Sequence, residues 1–438
     1  MLAEVASRLK TADPVAWSGH VTHVGLQEIV SAGPLSAVGD ICTVQTAKGQ
    51  TELLAEVASV AEGRVTLVPL ERGLPVRPGA RVMRRTRMDE APVGDAFAGR
   101  LVDAFGRPQD NAGAIEPDAY APLQGRVLKP LERANAKVTL QTGLKALDGL
   151  LPIVPGQRVG IFAAAGVGKT TLVQQIARQA DVDHCVLCLV GERGREVEAA
   201  WTSLKGTSSR TDLTIVAATS DQSAPVRVRA VNQALCLAEH WRGEGRSVLL
   251  VIDSVTRYAM ALREIGLSAG APPTLRAYTP NVFEALPRLV ERCGAAASGG
   301  SITSFMTVLS ETDDQDDPIT EVMKSLLDGH VSLSRKLANS GHFPAIDIEH
   351  SLSRLGDAVI SPAQLAAARY VRRSLATYAE SRIMIESGIY TKGSNADIDA
   401  AIQLKDRAMQ FLAQGGETVP LDHTLQGLLS LASGGVRA

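Results

Sequence analysis

The 438-residue sequence predicts an α/β chain with a small β-barrel at the N-terminus, a central phosphate-binding domain on a parallel sheet, and a C-terminal helical domain. Three observations predict it. Short alternating runs separated by turn residues occupy residues 19–87, the spacing of a small barrel. Continuous apolar runs of strand length then alternate with helical stretches, which marks a parallel sheet covered on both faces. Beyond about residue 360 only helical periodicity remains. Inside the middle region lies GQRVGIFAAAGVGKTTLVQQ, residues 156–175, in which a strand enters a small-residue loop that opens a helix.

A chain of this length exceeds one compact core, so the expected division is 1–90, 91–360 and 361–438. Hydrophobic residues make up 45% and charged residues 21%, the balance of an ordinary globular protein. A net charge of −2 offers no global attraction to nucleic acid or an anionic membrane. No apolar run approaches the ~20 residues that cross a bilayer. The opening MLAEVASRLK mixes acid and base without a long apolar region, so it predicts no secretory leader and a cytoplasmic setting.

Taken in order, residues 1–11 suggest a short amphipathic helix, with docking of a partner and simple packing equally compatible with it. The barrel strands are expected in HVTHV, ICTV, ELLAEVASV, RVTLV and ARVMRR. Barrels that read single-stranded nucleic acid stack bases on aromatic rings. Residues 1–90 contain a single aromatic, Trp17, which favours packing or assembly over nucleic-acid binding. The sheet strands are expected in RVGIFAA, CVLCLVG, TIVAAT, SVLLVID and SITSFMTVL, with a helix at 224–241. GAAASGG at 294–300 reads as a flexible loop. The tail AQLAAARYVRRSLATYAESRIMI and ADIDAAIQLKDRAMQFLAQ reads as a helical bundle.

Several tempting patterns carry no chemistry. Five scattered cysteines make no disulfide framework, and Cys185 and Cys188 lie three apart on a strand, hence on opposite faces. His20 and His23 fail as a metal pair for the same reason. The acidic stretch Glu311 to Pro318 lacks the glycine and terminal glutamate of a calcium loop and reads as a solvated loop.

The chemistry gathers around the glycine-rich turn. Crowded backbone N–H groups of Gly166, Val167 and Gly168 at a helix N-terminus suit a polyphosphate. Lys169 is placed to reach its terminal phosphates, and the Thr170 hydroxyl to hold Mg²⁺. One departure from G-x-x-x-x-G-K-[ST] is visible, because Ala163 stands where the first glycine is expected. Asp253 ends the run SVLLVI, at the strand tip where a carboxylate can orient the magnesium shell. Glu192 ends another apolar strand, expected beside the phosphate-loop strand. There it is either the carboxylate that positions an attacking water or half of a solvated ion pair. Arg193 and Arg257 stand near that edge and could meet phosphate oxygens. Arg354 follows the strand-like PAIDI and by itself reads as a surface charge.

These motifs together resemble the ring ATPases related to the β subunit of ATP synthase, whose central domain is a RecA-like P-loop NTPase fold. TGLKALDGLLPIVPGQRVGIFAAAGVGKTTL, GERGREV, VIDSVTRYA and GHFPAIDIEHSLSR occur in the family's order. DGLLP, APPTLRAYTPNVFEALPRLVERCG and GIYTKGSNADIDAAI narrow the resemblance to the export ATPases of bacterial flagella and their type III secretion relatives, over residues 18–415. The resemblance implies ATP and Mg²⁺ as cofactors. It makes Ala165, Gly166, Val167, Gly168, Lys169, Thr170 and Thr171 the phosphate cradle, with Thr170 and Asp253 on the metal. It makes Glu192 the water-activating carboxylate and sets Arg193 and Arg257 near the γ-phosphate. Phe343 becomes the ring against adenine, where the family usually has tyrosine. Arg354 matches an arginine finger inserted into the neighbouring subunit's site. Because Glu192 and Arg354 share one chain, a homohexamer with interfacial sites is expected.

The resemblance further implies export-apparatus proteins, regulatory and stalk-like subunits and chaperone–substrate complexes as partners. It implies no nucleic acid, and only peripheral association with the inner-membrane export gate. Some residues depart from the family. Ala164 and Ala165 replace Gly-Ser, and Ala277, Thr279 and Asn281 replace glycine, proline and serine in a stretch that faces the ring centre in relatives. SRLGDAV lacks the usual proline after the finger. Competing expectations are a virulence secretion ATPase, the catalytic subunit of a proton-linked synthase, a hexameric RNA translocase, and a nucleotide-binding scaffold that barely hydrolyses. GIYTKGS and the lack of a DELSEED-like acidic segment oppose the synthase. The aromatic-poor barrel opposes the translocase, and retention of Lys169, Glu192 and Arg354 together opposes the scaffold.

Overall fold

The computed structural model describes residues 17–25, 28–46, 52–70, 75–85, 89–204, 212–309 and 317–433. The helix expected at 1–11 and most of the acidic loop at 311–318 lie outside the described residues. Six strands close the N-terminal barrel: β1 (Ser18–Val24), β2 (Ile29–Ala32), β3 (Ile41–Gln45), β4 (Glu52–Ala61), β5 (Arg64–Pro69) and β6 (Arg81–Arg84), ordered β1-β2-β5-β4-β3-β6. Alternation drives them. In β4, Leu53, Ala55 and Val57 point into the barrel core, while the residues between them face outward. The four residues of β2 escaped the sequence reading because so short a run carries little periodicity.

After a two-stranded ribbon of β7 (Glu90–Val93) and β9 (Ala119–Pro122), the chain builds one large sheet. Its strands are β8 (Leu101–Val102), β10 (Arg158–Ala163), β11 (His184–Glu192), β12 (Asp212–Thr219), β13 (Ser247–Asp253), β14 (Gly294–Ala295), β15 (Ser301–Leu309), β16 (Gly329–Leu333) and β17 (Ile346–Ser353). The order is β17-β16-β10-β15-β13-β11-β12-β8, parallel except for β17 at one edge and the short β14, which pairs antiparallel with β15. GAAASGG is therefore partly strand, since Gly294 and Ala295 join the sheet.

Both faces of this sheet are buried, as the continuous apolar runs require. Cys185, Leu187 and Leu189 of β11 enter one hydrophobic core, and Val186, Cys188 and Val190 enter the other. The two cysteines thus face opposite ways, and all five cysteines are buried and free.

The helices are α1 (Lys169–Gln179), α2 (Gly194–Leu204), α3 (Ala224–Gly243), α4 (Val255–Ser268), α5 (Pro280–Glu291), α6 (Pro318–Leu326), α7 (Arg335–Asn339), α8 (Pro362–Glu386), α9 (Ala396–Leu412) and α10 (Leu421–Ser433). Helices α8 to α10 form the C-terminal bundle, with Ser361 and Asn395 capping α8 and α9 through their side chains. Their apolar stripes pack beneath the phosphate-loop helix: Leu404, Ala408, Leu412 and Leu428 share a core with Leu172 and Ile176.

Candidate functional site

The site forms where β10, β13 and β11 end, the edge at which open parallel sheets bind ligands. Ala163 completes β10 in extended pairing with Leu309, so the missing glycine of the motif costs nothing there. The turn that needs glycine comes later, at Gly166 and Gly168, with φ of +80° and +90°. Gly168 caps α1 without any side chain, leaving the cap to backbone N–H groups.

Lys169, the first residue of α1, reaches across β15. Its ammonium pairs with the Asp253 carboxylate and lies 3.9 Å from Glu192 Oε1. Asp253 is 2% exposed and accepts a hydrogen bond from Thr307 Oγ1 at 2.7 Å, so β15 steadies the carboxylate of β13. Glu192 is half-buried at the tip of β11. Burial, followed by a hydrogen bond with Glu196, pushes its carboxyl up to about 7. Thr170, Glu192, Glu196 and Asp253 line a cavity of about 20 Å³, room for roughly one water.

The sequence reading set the Glu192 strand beside the phosphate-loop strand, and the structure corrects this. Strands β13 and β15 stand between β10 and β11. Sequential strands are usually neighbours. Here the first crossover skips two positions that later strands fill, and the Lys169 side chain spans the gap.

Arg257 lies in α4 with its stem packed over Gly191, where an added β-carbon would sit 3.3 Å from Arg257 Cβ and Cδ. Its buried Nε has no hydrogen-bond partner among the described residues. Arg193 is exposed, and its carbonyl accepts the Glu196 and Val197 N–H groups that open α2.

A second cavity, of about 320 Å³, adjoins the phosphate loop. Gly168, Thr171, Gln175 and Arg178 of the α1 region form one wall, with Phe343 and Pro344 opposite and Gln414, Gly415 and Gly416 closing it. The closing loop is tied to α1: the Gln175 amide donates to the Gly415 carbonyl, and Arg178 Nη2 donates to the Gly416 carbonyl at 2.8 Å. Residues 414–416, Glu196 and Thr307 escaped the sequence reading. A Gln-Gly-Gly after a long helix looks like an ordinary helix stop, and Thr307 is one polar residue in a buried strand.

Arg354 is not brought to this site. It follows Ser353, which pairs with Gly329, and Gly329 pairs with Val159 near the start of β10. The phosphate loop leaves the other end of β10, four residues on, about 13 Å at ~3.3 Å per residue. Arg354 is exposed, with its Nη1 donating to the Leu327 carbonyl at 3.3 Å.

The oxygen donors of Thr170 and Asp253 beside a glycine-rich cradle suit a hard divalent cation carried with a polyphosphate. Comparisons with known proteins agree with the geometry. Residues 143–353 match the nucleotide-binding domain of the ATP synthase alpha/beta family, and residues 360–430 match the C-terminal domain of the type III secretion ATPase EscN. The chain is 42% identical to the flagellum-specific ATP synthase of Treponema pallidum over 98% of this chain and 96% of that protein. It is 40% identical to the type 3 secretion system ATPase of Xanthomonas euvesicatoria, over 94% of this chain and 93% of that one. Among solved structures, the assembled EscN of enteropathogenic E. coli superposes with a TM-score of 0.88 at 37% identity, covering 94% of this chain and 99% of EscN.

Proposed function

The chain belongs to the ATP synthase alpha/beta family, in the branch of flagellar and type III secretion ATPases, and on that premise we propose how its residues divide the work. It is an ATP-hydrolysing enzyme of protein export. Residues 91–360 form the hydrolytic unit, 1–90 the assembly barrel and 361–438 the helical unit that closes the base pocket.

In this reading the backbone from Ala165 to Gly168, with Thr171, cradles the triphosphate, and Lys169 neutralises its terminal oxygens. Thr170 and Asp253 hold Mg²⁺, which when bound supplies charge neutralisation along the phosphates. Glu192 accepts a hydrogen bond from the attacking water and aligns it with the γ-phosphorus. Arg257, with Arg193 at the rim, faces the oxygens that gain charge. Phe343 stacks on adenine, with Gln414 to Gly416 closing the other side.

One observation carries the reading furthest. Each copy holds a catalytic carboxylate at one end of its sheet and an exposed arginine at the other, so no copy completes its own site. A closed ring of identical copies satisfies both ends, with Arg354 of each neutralising transition-state charge in the next. The homohexamer is that ring. Mixing Arg354→Ala chains with Glu192→Gln chains tests it, because a mixed ring pairs an intact carboxylate with an intact finger. ATPase activity above that of either chain alone is expected, and no gain at any ratio sinks the reading.

The proposed setting is the flagellar export apparatus, supported by the identity to flagellar relatives along almost the whole chain. Deleting the gene and scoring swimming against secretion of virulence effectors separates the two export systems. A central stalk is proposed as partner, as EscN has been solved with its stalk EscO. Exposed Ile383 and Met384 in the last turn of α8, with Ile389 in the turn that follows, offer it an apolar tip. Contacts with the export gate, regulators and chaperone–substrate complexes rest on kinship, as does a cytoplasmic seat at the inner membrane. No helix among the described residues is long and apolar enough to cross a bilayer.

A further inference from the structure

The exposed Arg354 is built on an unusually polar foundation. Its backbone N–H donates to the Asp328 carbonyl at 3.0 Å. The Asp328 carboxylate in turn takes three hydrogen bonds from one residue, Arg158: from Nε at 2.9 Å, Nη2 at 3.0 Å and the backbone N at 3.0 Å. The Asp328 N–H returns a bond to the Arg158 carbonyl at 2.9 Å.

Next to Arg158, the fully buried Gln157 donates from Nε2 to Ser353 Oγ at 3.0 Å and reaches the Asp328 carbonyl at 3.4 Å. Ser353 Oγ then donates to the Pro152 carbonyl at 2.6 Å. Glu291, at the end of α5, holds the far side of the Arg158 guanidinium at 2.7 Å. Ser353, which precedes the finger, and Asp328, which accepts the finger's backbone N–H, are therefore fixed to Gln157 and Arg158, the foot of the strand whose other end is the phosphate loop.

A forked Arg–carboxylate pair constrains orientation as well as distance, which a single charge contact does not. An exposed arginine on a loose loop would spend its rotamer freedom on reaching a neighbouring site. We propose that Gln157, Arg158 and Asp328 are positioning residues that aim Arg354 at the adjoining copy's phosphate. This rests on the trans-finger reading above. None of the three lines either cavity beside the phosphate loop. Loss of the fork is therefore felt next door, as slower turnover with substrate binding retained.

Asp328→Asn tests this, since it keeps the shape and loses the charged fork. In homogeneous rings kcat is expected to fall about tenfold, short of the 10³–10⁵ attributed to a whole finger, with KM for ATP within about twofold. Mixed with Glu192→Gln chains, Asp328→Asn chains receive intact fingers, and activity per competent site should recover. A merely structural pair would leave the defect in the Asp328→Asn chain's own site, and mixing would not restore it. The Arg354→Ala and Glu192→Gln mixture runs alongside. If that reference gains nothing, the trans finger is wrong and this inference goes with it. If the reference gains while the Asp328→Asn mixture does not, or if Asp328→Asn turns over normally, the positioning role alone is overturned. Should Asp328→Asn fail to assemble, Arg158→Lys, which keeps the charge and loses the fork, is read in the same mixture with the same outcomes.

Discussion

The ring of Phe343 lies against Gly168, so close that a β-carbon on the glycine would stand 3.2 Å from the ring Cε1. The glycine also sits at φ +90°, where an L side chain is strained. The aromatic wall of the large cavity is therefore in direct contact with the cap of the phosphate helix.

In the proposed reading Phe343 would supply a stacking face, worth about 1–3 kcal/mol for a base on an aromatic ring. Phe343→Ala is expected to raise KM for ATP about tenfold or more while kcat stays within about twofold. Phe343→Tyr should behave nearly as wild type. A steady-state titration with ATP decides, and an unchanged KM in the alanine variant removes Phe343 from the base site.

The Glu192 carboxyl is raised to about 7, mainly by burial and then by its hydrogen bond with Glu196. Water alignment needs the ionised form, so kcat/KM should climb about tenfold per pH unit below 7 and level off above it. Glu196→Ala removes one raising influence and should move the midpoint down. A profile that is flat between about pH 6 and 8, where a midpoint near 7 would act, argues that another group limits the reaction.

Ala277 and Arg276 adopt φ of +60° and +51° in the segment ahead of α5. The Thr274 and Tyr278 backbones close that turn. Alanine pays a steric cost in this region that glycine does not. Ala277→Gly should therefore stabilise the protein by about 0.5 kcal/mol, after the greater freedom of glycine in the unfolded chain is counted. The urea midpoint reads it, and a drop would mean the turn tolerates its alanine without strain.

Gln414 is a keystone of the loop that closes the large cavity. Its Nε2 donates to the Gly143 and Glu417 carbonyls at 2.7 and 2.8 Å, and its Oε1 accepts the Lys145 N–H at 2.9 Å. Gln414→Ala removes the partners of the Lys145 N–H and the Glu417 carbonyl, while the Gly143 carbonyl keeps the Val419 N–H at 3.2 Å. Each group left unpaired costs about 1–3 kcal/mol if it stays buried. Lower thermal stability together with weaker ATP binding is expected, and ATP should restore part of the lost stability by mass action. A variant as stable as wild type would show that the loop is held by its neighbours alone.

Much of this molecule was legible in its residues. The barrel, the sheet strands and the helical tail follow from periodicity, because burial on one face or on two imposes different patterns. Residue type and position, at strand ends and a helix start, single out Glu192, Lys169 and Asp253, and the fold brings their side chains together. Thr307 was not legible, since it steadies Asp253, a group 54 residues away in the chain. Glu196 was not, since a second carboxylate four residues on, in a helix, looks like an ordinary surface charge. The order of strands was misread, because local pattern carries no record of which crossover skips a place.

Local sequence thus determined the parts: which segments pair, which coil, and which turn can hold a phosphate, since these depend on interactions between residues close along the chain. Tertiary structure alone decided that Arg354 stands at the far end of the sheet from Lys169, and that Arg158 and Asp328, 170 residues apart, clasp each other beneath it. Those relationships arise from register and crossover across the whole sheet, where side chains meet only after distant strands have been laid side by side.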